Sequence, residues 1–270
     1  MKKTAVCLLM SVTLLGCGGG NDSTPSVPTN PSTPTNPKPA NPSNPPSASE
    51  LLPGIYTGIT GQREAASGLV DDNKRLWVIY SDENLYQDGG VLGFINSNNN
   101  VVGNSGTFSV QGKNYSYDAR AALDTTITGD YRTPKSLKGE VFGLPVNSTS
   151  YNMSFDETQS TKIQTLASLS NRTFFGDSYV SGDTSAGTTT IKFGSNGNFS
   201  GNGEGCSLSG TMKPSASKRY FEGTVTFGAY PCYAARETLT GVAILNEDNE
   251  LIVLGTDAQR TKGLFFSSAE

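Results

Sequence analysis

The sequence predicts an all-β protein. The fold is antiparallel, with two related small barrel or sandwich lobes behind an unfolded N-terminal stalk. Three observations carry the prediction. Short runs of β-branched and aromatic residues recur along the chain, and turn residues bound them. Glycine is abundant, at 31 of 270 residues, while hydrophobic residues make up only 35% and charged residues 16%. A weak internal echo also divides the region after residue 50. One continuous barrel of eight or more strands is the alternative.

The chain opens with Lys2 and Lys3, followed by an apolar run from Val6 to Leu15. That run is shorter than the ~20 residues a helix needs to span a bilayer, so it reads as a signal peptide over residues 1–16. It ends in Leu14-Leu15-Gly16-Cys17, which resembles the bacterial lipobox. The resemblance implies that Cys17 is acylated and becomes the mature N-terminus. Gly18 follows, where in enterobacteria an Asp favours inner-membrane retention, and this leans toward the outer membrane.

Residues 17–50 form the expected lipidated tether. Nine of the 14 prolines lie between Pro25 and Pro46, and almost nothing apolar accompanies them. Such a segment does not offset its ordering entropy and is expected to stay unfolded. Its reach is roughly 100 Å fully extended and about 30 Å as a coil.

In the remainder, strands are expected at 75–80, 91–95, 107–110, 188–193, 220–227, 240–245, 251–254 and 263–266. Ser195-Asn-Gly-Asn198 tolerates the positive φ of tight hairpins, and Asn246–Glu250 joins two apolar runs. Gly201-Asn-Gly-Glu-Gly205 links two strands as a bulge or wide turn, not as a phosphate loop.

The echo pairs Glu50-Leu-Leu-Pro-Gly-Ile-Tyr-Thr-Gly58 with Ala167-Ser-Leu-Ser-Asn-Arg-Thr-Phe-Phe-Gly176. A second echo pairs Gly90–Asn96 with Gly241–Asn246. Both lead to lobes over 51–157 and 158–270, with a seam near 157–170 where Ile163, Leu166 and Leu169 stand at helical spacing.

Cys206 and Cys232 are the cysteines left after processing, and in an oxidising envelope they should pair as a structural staple. Their spacing is far from a redox Cys-x-x-Cys.

No catalytic set assembles, and no catalytic residue is assigned. Histidine is absent, which removes imidazole bases and imidazole metal ligands. Ser215-Ala-Ser-Lys218 has Ser-x-x-Lys spacing but lies in a polar loop after Pro214. Neither Asp82, Glu83 and Asp88 nor Glu247, Asp248 and Glu250 follows the alternating ligand pattern of an EF-hand, so no metal and no cofactor is expected. Removing Lys2 and Lys3 leaves 18 basic and 24 acidic residues, a net charge of −6 that argues against nucleic acid.

Trp77 is the most informative side chain. Leu76-Trp-Val-Ile-Tyr80 is apolar on both strand faces, so one face needs a cover other than solvent. Packing between lobes or in a barrel core is one reading. Contact with a ligand or partner, with Tyr80 and Tyr86 nearby, is the other. Tyr230 and Tyr233 beside Cys232 form a second aromatic patch, which a disulfide would hold rigid.

Two groups of residues carry a family resemblance: Glu222–Cys232 with Cys206–Pro214, and Gly54–Gly58 with Gly68–Asp72. Together they resemble a group of proteobacterial lipoproteins, largely of uncharacterised function, with a lipobox, a low-complexity stalk and a β-rich, lipocalin- or barrel-like body. The plan is also similar to neisserial surface lipoproteins that bind transferrin or complement factors, without their strand motifs. The resemblance implies a fold and no catalytic residues. The expected function is a non-enzymatic binding module, held to the outer membrane by lipid and exposed to the periplasm or the surface. Its partner would be an unidentified protein or a small hydrophobic ligand. The alternatives are a carboxylate-dependent envelope hydrolase and a structural envelope component.

Overall fold

Two eight-stranded antiparallel barrels make up the folded body of this computed structural model. It describes residues 50–81, 91–101, 103, 106–117, 121–144, 147–183 and 187–268. Cys17, Tyr86 and the Asp82, Glu83 and Asp88 group lie outside the described residues.

The first barrel is a simple meander: β1 (Gly54–Thr60), β2 (Ala65–Val70), β3 (Leu76–Ser81), β4 (Val91–Ser97), β5 (Thr107–Ser116), β6 (Leu123–Asp130), β7 (Ser136–Leu144) and β8 (Asn147–Phe155). It closes where β8 pairs with β1, with Thr57 opposite Ser154. Two short helices, α1 (Glu157–Thr161) and α2 (Leu166–Leu169), lead to the second meander. This runs β9 (Thr173–Val180), β10 (Gly187–Phe193), β11 (Asn198–Gly203), β12 (Cys206–Pro214), β13 (Phe221–Phe227), β14 (Thr238–Leu245), β15 (Leu251–Thr256) and β16 (Gly263–Ser268). It closes through β16 and β9, with Phe266 opposite Ser178. The single continuous barrel is therefore excluded.

The first sequence echo has a structural meaning. Tyr56 and Phe174 point into their barrels, and Gly58 and Gly176 follow two residues later on the closing strands. A Cβ on Gly58 would lie 2.7 Å from the Cα of Met153, and one on Gly176 would lie 2.4 Å from the Cα of Ser268. The missing side chains let first and last strands meet, which closure requires. The second echo has no such counterpart. Gly90–Asn96 overlaps the fourth strand of one barrel, whereas Gly241–Asn246 overlaps the sixth strand of the other, so that likeness reflects only two hydrophobic strands.

Burial explains the double-sided apolar strand. Along β3, Leu76, Val78 and Tyr80 belong to the first barrel's interior cluster. Trp77 and Ile79 face the other way, into a third cluster shared with the second barrel. That cluster joins Ile55, Leu69, Trp77, Phe94 and Tyr115 to Tyr179, Tyr220, Val242, Leu254 and Phe265. Phe94 stacks on Tyr115 at 4.7 Å between ring centroids, and Tyr179 on Phe265 at 5.4 Å. A Cβ on Gly263 would sit 2.5 Å from the Tyr115 ring, so glycine at this point lets β16 approach the first barrel.

Polar groups fix the seam's register. Tyr179 Oη donates to the Tyr115 carbonyl at 3.1 Å, and Ser217 N donates to Asp72 Oδ2 at 2.9 Å. The Arg260 guanidinium donates to Asn96 Oδ1 at 2.6 Å and to the Asn96 carbonyl at 2.9 Å. The connecting segment is pinned too. Ser160 Oγ accepts from Ile55 N at 2.7 Å, and Gln164 Nε2 donates to the Leu245 carbonyl at 3.1 Å. The helical spacing expected there yields only α1 and α2. Ile163, between them, stays 59% exposed because each helix is too short to turn a continuous stripe inward.

Burial raises the pKa of Tyr115, Tyr179 and Tyr220 above the phenolic value of 10.0. The folded chain keeps these protons at a pH where the unfolded chain releases them. Their contribution is full below about pH 10 and is lost as pH rises toward the folded values. We expect the urea midpoint to fall above pH 10. Each phenol adds a slope of about 1.4 kcal/mol per pH unit at most, and Tyr179→Phe should flatten the decline. An unchanged slope in that variant would contradict the assignment.

Candidate binding surfaces

The second barrel carries its most exposed aromatic residue among the described residues, Tyr230, on the loop between β13 and β14. Phe227 N donates to the Glu237 carbonyl at 2.9 Å, and Arg236 N donates to the Gly228 carbonyl at 2.8 Å, which closes the base of the loop. Cys232 and Ala234 turn inward and join the barrel core, at 4% and 0% exposure. Tyr230 and Tyr233 are thrown outward, at 91% and 47%. Cys232 is bonded to Cys206 at the start of β12, with Cα atoms 4.7 Å apart, so the loop is covalently tied to the neighbouring hairpin. Lys262 Nζ lies 5.5 Å from the centre of the Tyr233 ring and pairs with Glu237. The result is an aromatic patch on a loop held at its base, its middle and its flank.

The other aromatic residues singled out in the sequence have different fates. Trp77 is 3% exposed in the seam between the barrels, and its Nε1 donates to Asp71 Oδ2 at 3.3 Å. Its ring therefore packs against the second barrel rather than facing solvent. Tyr80 turns into the first barrel, where its hydroxyl donates to Asn114 Oδ1 at 2.8 Å. The structure thus separates Trp77 and Tyr80, which lie on opposite faces of β3, and brings neither near Tyr230 and Tyr233.

Each barrel holds a cavity that is partly open to solvent. The first measures about 220 Å³ and is lined mainly by aliphatic side chains, including Leu76, Val78, Ile95, Leu137 and Met153, together with Tyr80, Asn114 and Thr149. The second measures about 280 Å³ and is lined by Phe193, Phe199, Phe227 and Phe266, with Pro231, Cys232 and Tyr233 of the disulfide loop also at its wall. A third hollow of about 310 Å³ lies along the seam and is polar, with Arg75, Asn96, Glu222 and Arg260. Among the described residues no group of three acidic or cysteine side chains is placed to hold a metal ion.

Sequence reasoning missed the lumen residues of β8. A signal existed in Thr149-Ser-Tyr-Asn-Met-Ser-Phe155, where larger residues alternate with small polar ones at a strand's period of two. The serines and asparagine hid it, because hydrophobicity is low although the alternation is regular.

The fold defines a two-barrel, all-β protein with a cavity in each barrel and one braced aromatic loop. No protein-family model and no curated protein matches the sequence. Among solved structures, the chain is similar to isotype 1 transferrin binding protein B from serogroup B Neisseria meningitidis. The identity is 9%, the match covers 76% of this chain and 65% of that one, and the TM-score is 0.28. A mutant of transferrin binding protein B from Haemophilus parasuis Hp5 is 6% identical over 81% of this chain and 76% of its own, with a TM-score of 0.24. This chain spans just under two thirds of the length of the first of these, at 65%. The two-barrel architecture rests on the strand pairings above, not on these scores.

Replacing Cys206 and Cys232 by Ser together should lower stability by ~3.5 kcal/mol in the chain-entropy model. Denaturant titration of the oxidised protein and the double variant measures this. Two free thiols in the exported protein would contradict the staple.

Proposed function

We propose that this protein is a non-enzymatic binding module, tethered to the outer membrane through lipid on Cys17, that recognises a protein partner through the braced loop of its second barrel. In this reading residues 1–16 are removed, residues 17–50 form the anchored tether, and 51–157 and 158–270 are the two lobes at the periplasmic or cell-surface end. The observation that carries it is Tyr230, 91% exposed on a loop that the Cys206–Cys232 bond holds to the adjacent hairpin.

The physical case is preorganisation. A tyrosine offers a large amphipathic contact area, and aromatic residues are enriched among side chains that dominate binding energy. An exposed ring on a floppy loop loses that gain to ordering entropy on association, and a loop already fixed in place avoids most of the loss. Tyr233 extends the patch, and Lys262 beside its ring supplies a cation at the rim. The net charge of −6 for the processed chain favours a partner surface that is not strongly acidic.

Capture experiments with the full exported chain test this. One envelope or host protein should be retained by the wild type, and Tyr230→Ala should weaken its binding about tenfold or more with an unchanged melting temperature. Metabolic labelling with a palmitate analogue should mark the wild type and not Cys17→Ser. Equal capture by wild type and Tyr230→Ala would overturn the assignment of the loop.

A further inference from the structure

We propose that the polar hollow along the seam is a binding site for a small hydroxylated carboxylate, of the size of a six-carbon sugar acid. The inference goes beyond the reading above, at a different place and for a different class of ligand from the aromatic loop.

Strand register builds the floor of the hollow. Thr211 stands opposite Thr224, Thr224 opposite Thr240, and Thr240 opposite Thr256. One threonine from each of β12, β13, β14 and β15 thus forms a row on the outer face of the second barrel, and all four line the hollow. Thr211 and Thr224 share a hydrogen bond at 3.3 Å. The Oγ1 atoms of Thr240 and Thr256 have no partner among the described residues, and neither is shut off from solvent. A hydroxyl both donates and accepts, so such a row suits a ligand with several hydroxyls.

Arginines supply the charge. Arg75, just before β3, and Arg260, in the turn between β15 and β16, both border the hollow. Arg75 Nε donates to Asp71 Oδ2 at 3.0 Å, while its two Nη atoms have no partner among the described residues and are open to solvent. Asp71 is fully buried, and it also accepts from Asn73 N, Arg75 N and Trp77 Nε1. Arg260 forms no ion pair among the described residues. Its Nε is closed to solvent, and Nη1 and Nη2 each give one proton to Asn96 and keep a second. Asp257 attracts Arg260 from the same turn, but its carboxylate already holds Thr261 Oγ1 at 3.0 Å and Lys262 N at 2.6 Å. Burial lowers the Arg260 pKa and the Arg75 charge lowers it further, so the two guanidinium groups are close enough to repel.

The described side chains that line the hollow are three cations, with Lys213 the third, and one carboxylate, Glu222, which pairs with Lys213 at 3.4 Å. Acidic residues outside the described set, Asp82, Glu83, Asp88 and Asp118, follow Ser81 and Tyr117 in the chain. Ser81 is four residues along β3 from Trp77, and Tyr117 four residues from Lys113, the partner of Asn96, which is roughly 13 Å of strand.

These features select the ligand. An arginine with both Nη atoms open can hold a carboxylate through two parallel hydrogen bonds. The threonine row takes the hydroxyls of the same molecule. The hollow measures about 310 Å³, about twice the ~150 Å³ cavity that accommodates benzene, so it takes about twelve non-hydrogen atoms. A six-carbon sugar acid has that size, and a sugar phosphate is larger.

The test uses the full chain carrying Cys17→Ser and labelled with ¹⁵N, which keeps acyl groups and detergent out of the measurement. Trp77 is the only tryptophan, and its Nε1 shares Asp71 Oδ2 with Arg75 Nε, so its single indole resonance reports on Arg75. The probes are glucuronate, its methyl β-glycoside, glucose and acetate, all at one ionic strength. Glucuronate should shift the indole resonance saturably. Glucose and acetate should each bind about tenfold more weakly or worse, since one lacks the charge and the other the hydroxyls. Equal binding of the methyl glycoside would mark a glycan chain end as the source, and its exclusion would mark a free sugar acid. Arg75→Gln should weaken glucuronate about tenfold. Thr240→Val, a near-isosteric change on the outer barrel face, should weaken it about threefold and leave acetate unchanged. No saturable change with glucuronate, an equal response to glucose, or full affinity in Arg75→Gln would overturn the proposal. Acetate binding as tightly as glucuronate, or full glucuronate affinity in Thr240→Val, would overturn the role of the threonine row. None of these results bears on protein capture by Tyr230, so the two readings fail separately.

Discussion

The architecture depends on hydrophobic burial on both faces of the strands that meet at the seam. A barrel normally covers one face of each strand and leaves the other to water, which gives alternating apolar and polar residues. Here β3 is apolar throughout, because its inner face lines the first lumen and its outer face packs on the second barrel. Tyr115, Tyr179, Trp77 and Phe265 are the large side chains of that outer contact, and all are 5% exposed or less. Two barrels that could each close alone are thereby joined by a contact with the composition of a core.

That union leaves other surfaces free for recognition. The seam takes β9, β14, β15 and β16 of the second barrel, and the disulfide-tied loop lies between β13 and β14 with its tyrosines turned outward. Closure itself uses small residues where the first and last strands meet. The two lumens then differ in their linings: the first is mainly aliphatic, and the second is rich in phenylalanine, with Ser178 and Thr189 hydrogen-bonded to each other. The two barrels share a topology while presenting different chemistry, so any duplication of function between them is not required by the fold.

Much of this was legible in the residues, and the exceptions have physical causes. The all-β class and the paired lobes followed from short β-branched runs between turn residues, and the Tyr56/Gly58 and Phe174/Gly176 echo marked the closing strands. Trp77 on a strand with two apolar faces signalled a covered outer surface but did not say what covered it; only the third dimension shows the second barrel there. Strands β2, β6, β7 and β8 escaped because glycine stands at inward positions, as Gly68, Gly129 and Gly139 do, and polar or charged residues such as Asp124, Lys138, Glu140 and Asn152 stand at outward ones, which dilutes the hydrophobic signal without breaking its period. The Cys206–Cys232 pair was legible from count and compartment. The lumens were not, because an empty volume has no residue of its own.

The seam is tested most directly by its single tryptophan. Trp77 fluorescence reports the contact between barrels, and far-ultraviolet circular dichroism reports the strands of both. If the contact is the core on which the body depends, the two signals follow one denaturant transition with the same midpoint. Loss of the Trp77 signal at a lower denaturant concentration, with the strand signal intact, would show two barrels that stand without each other and would contradict this account.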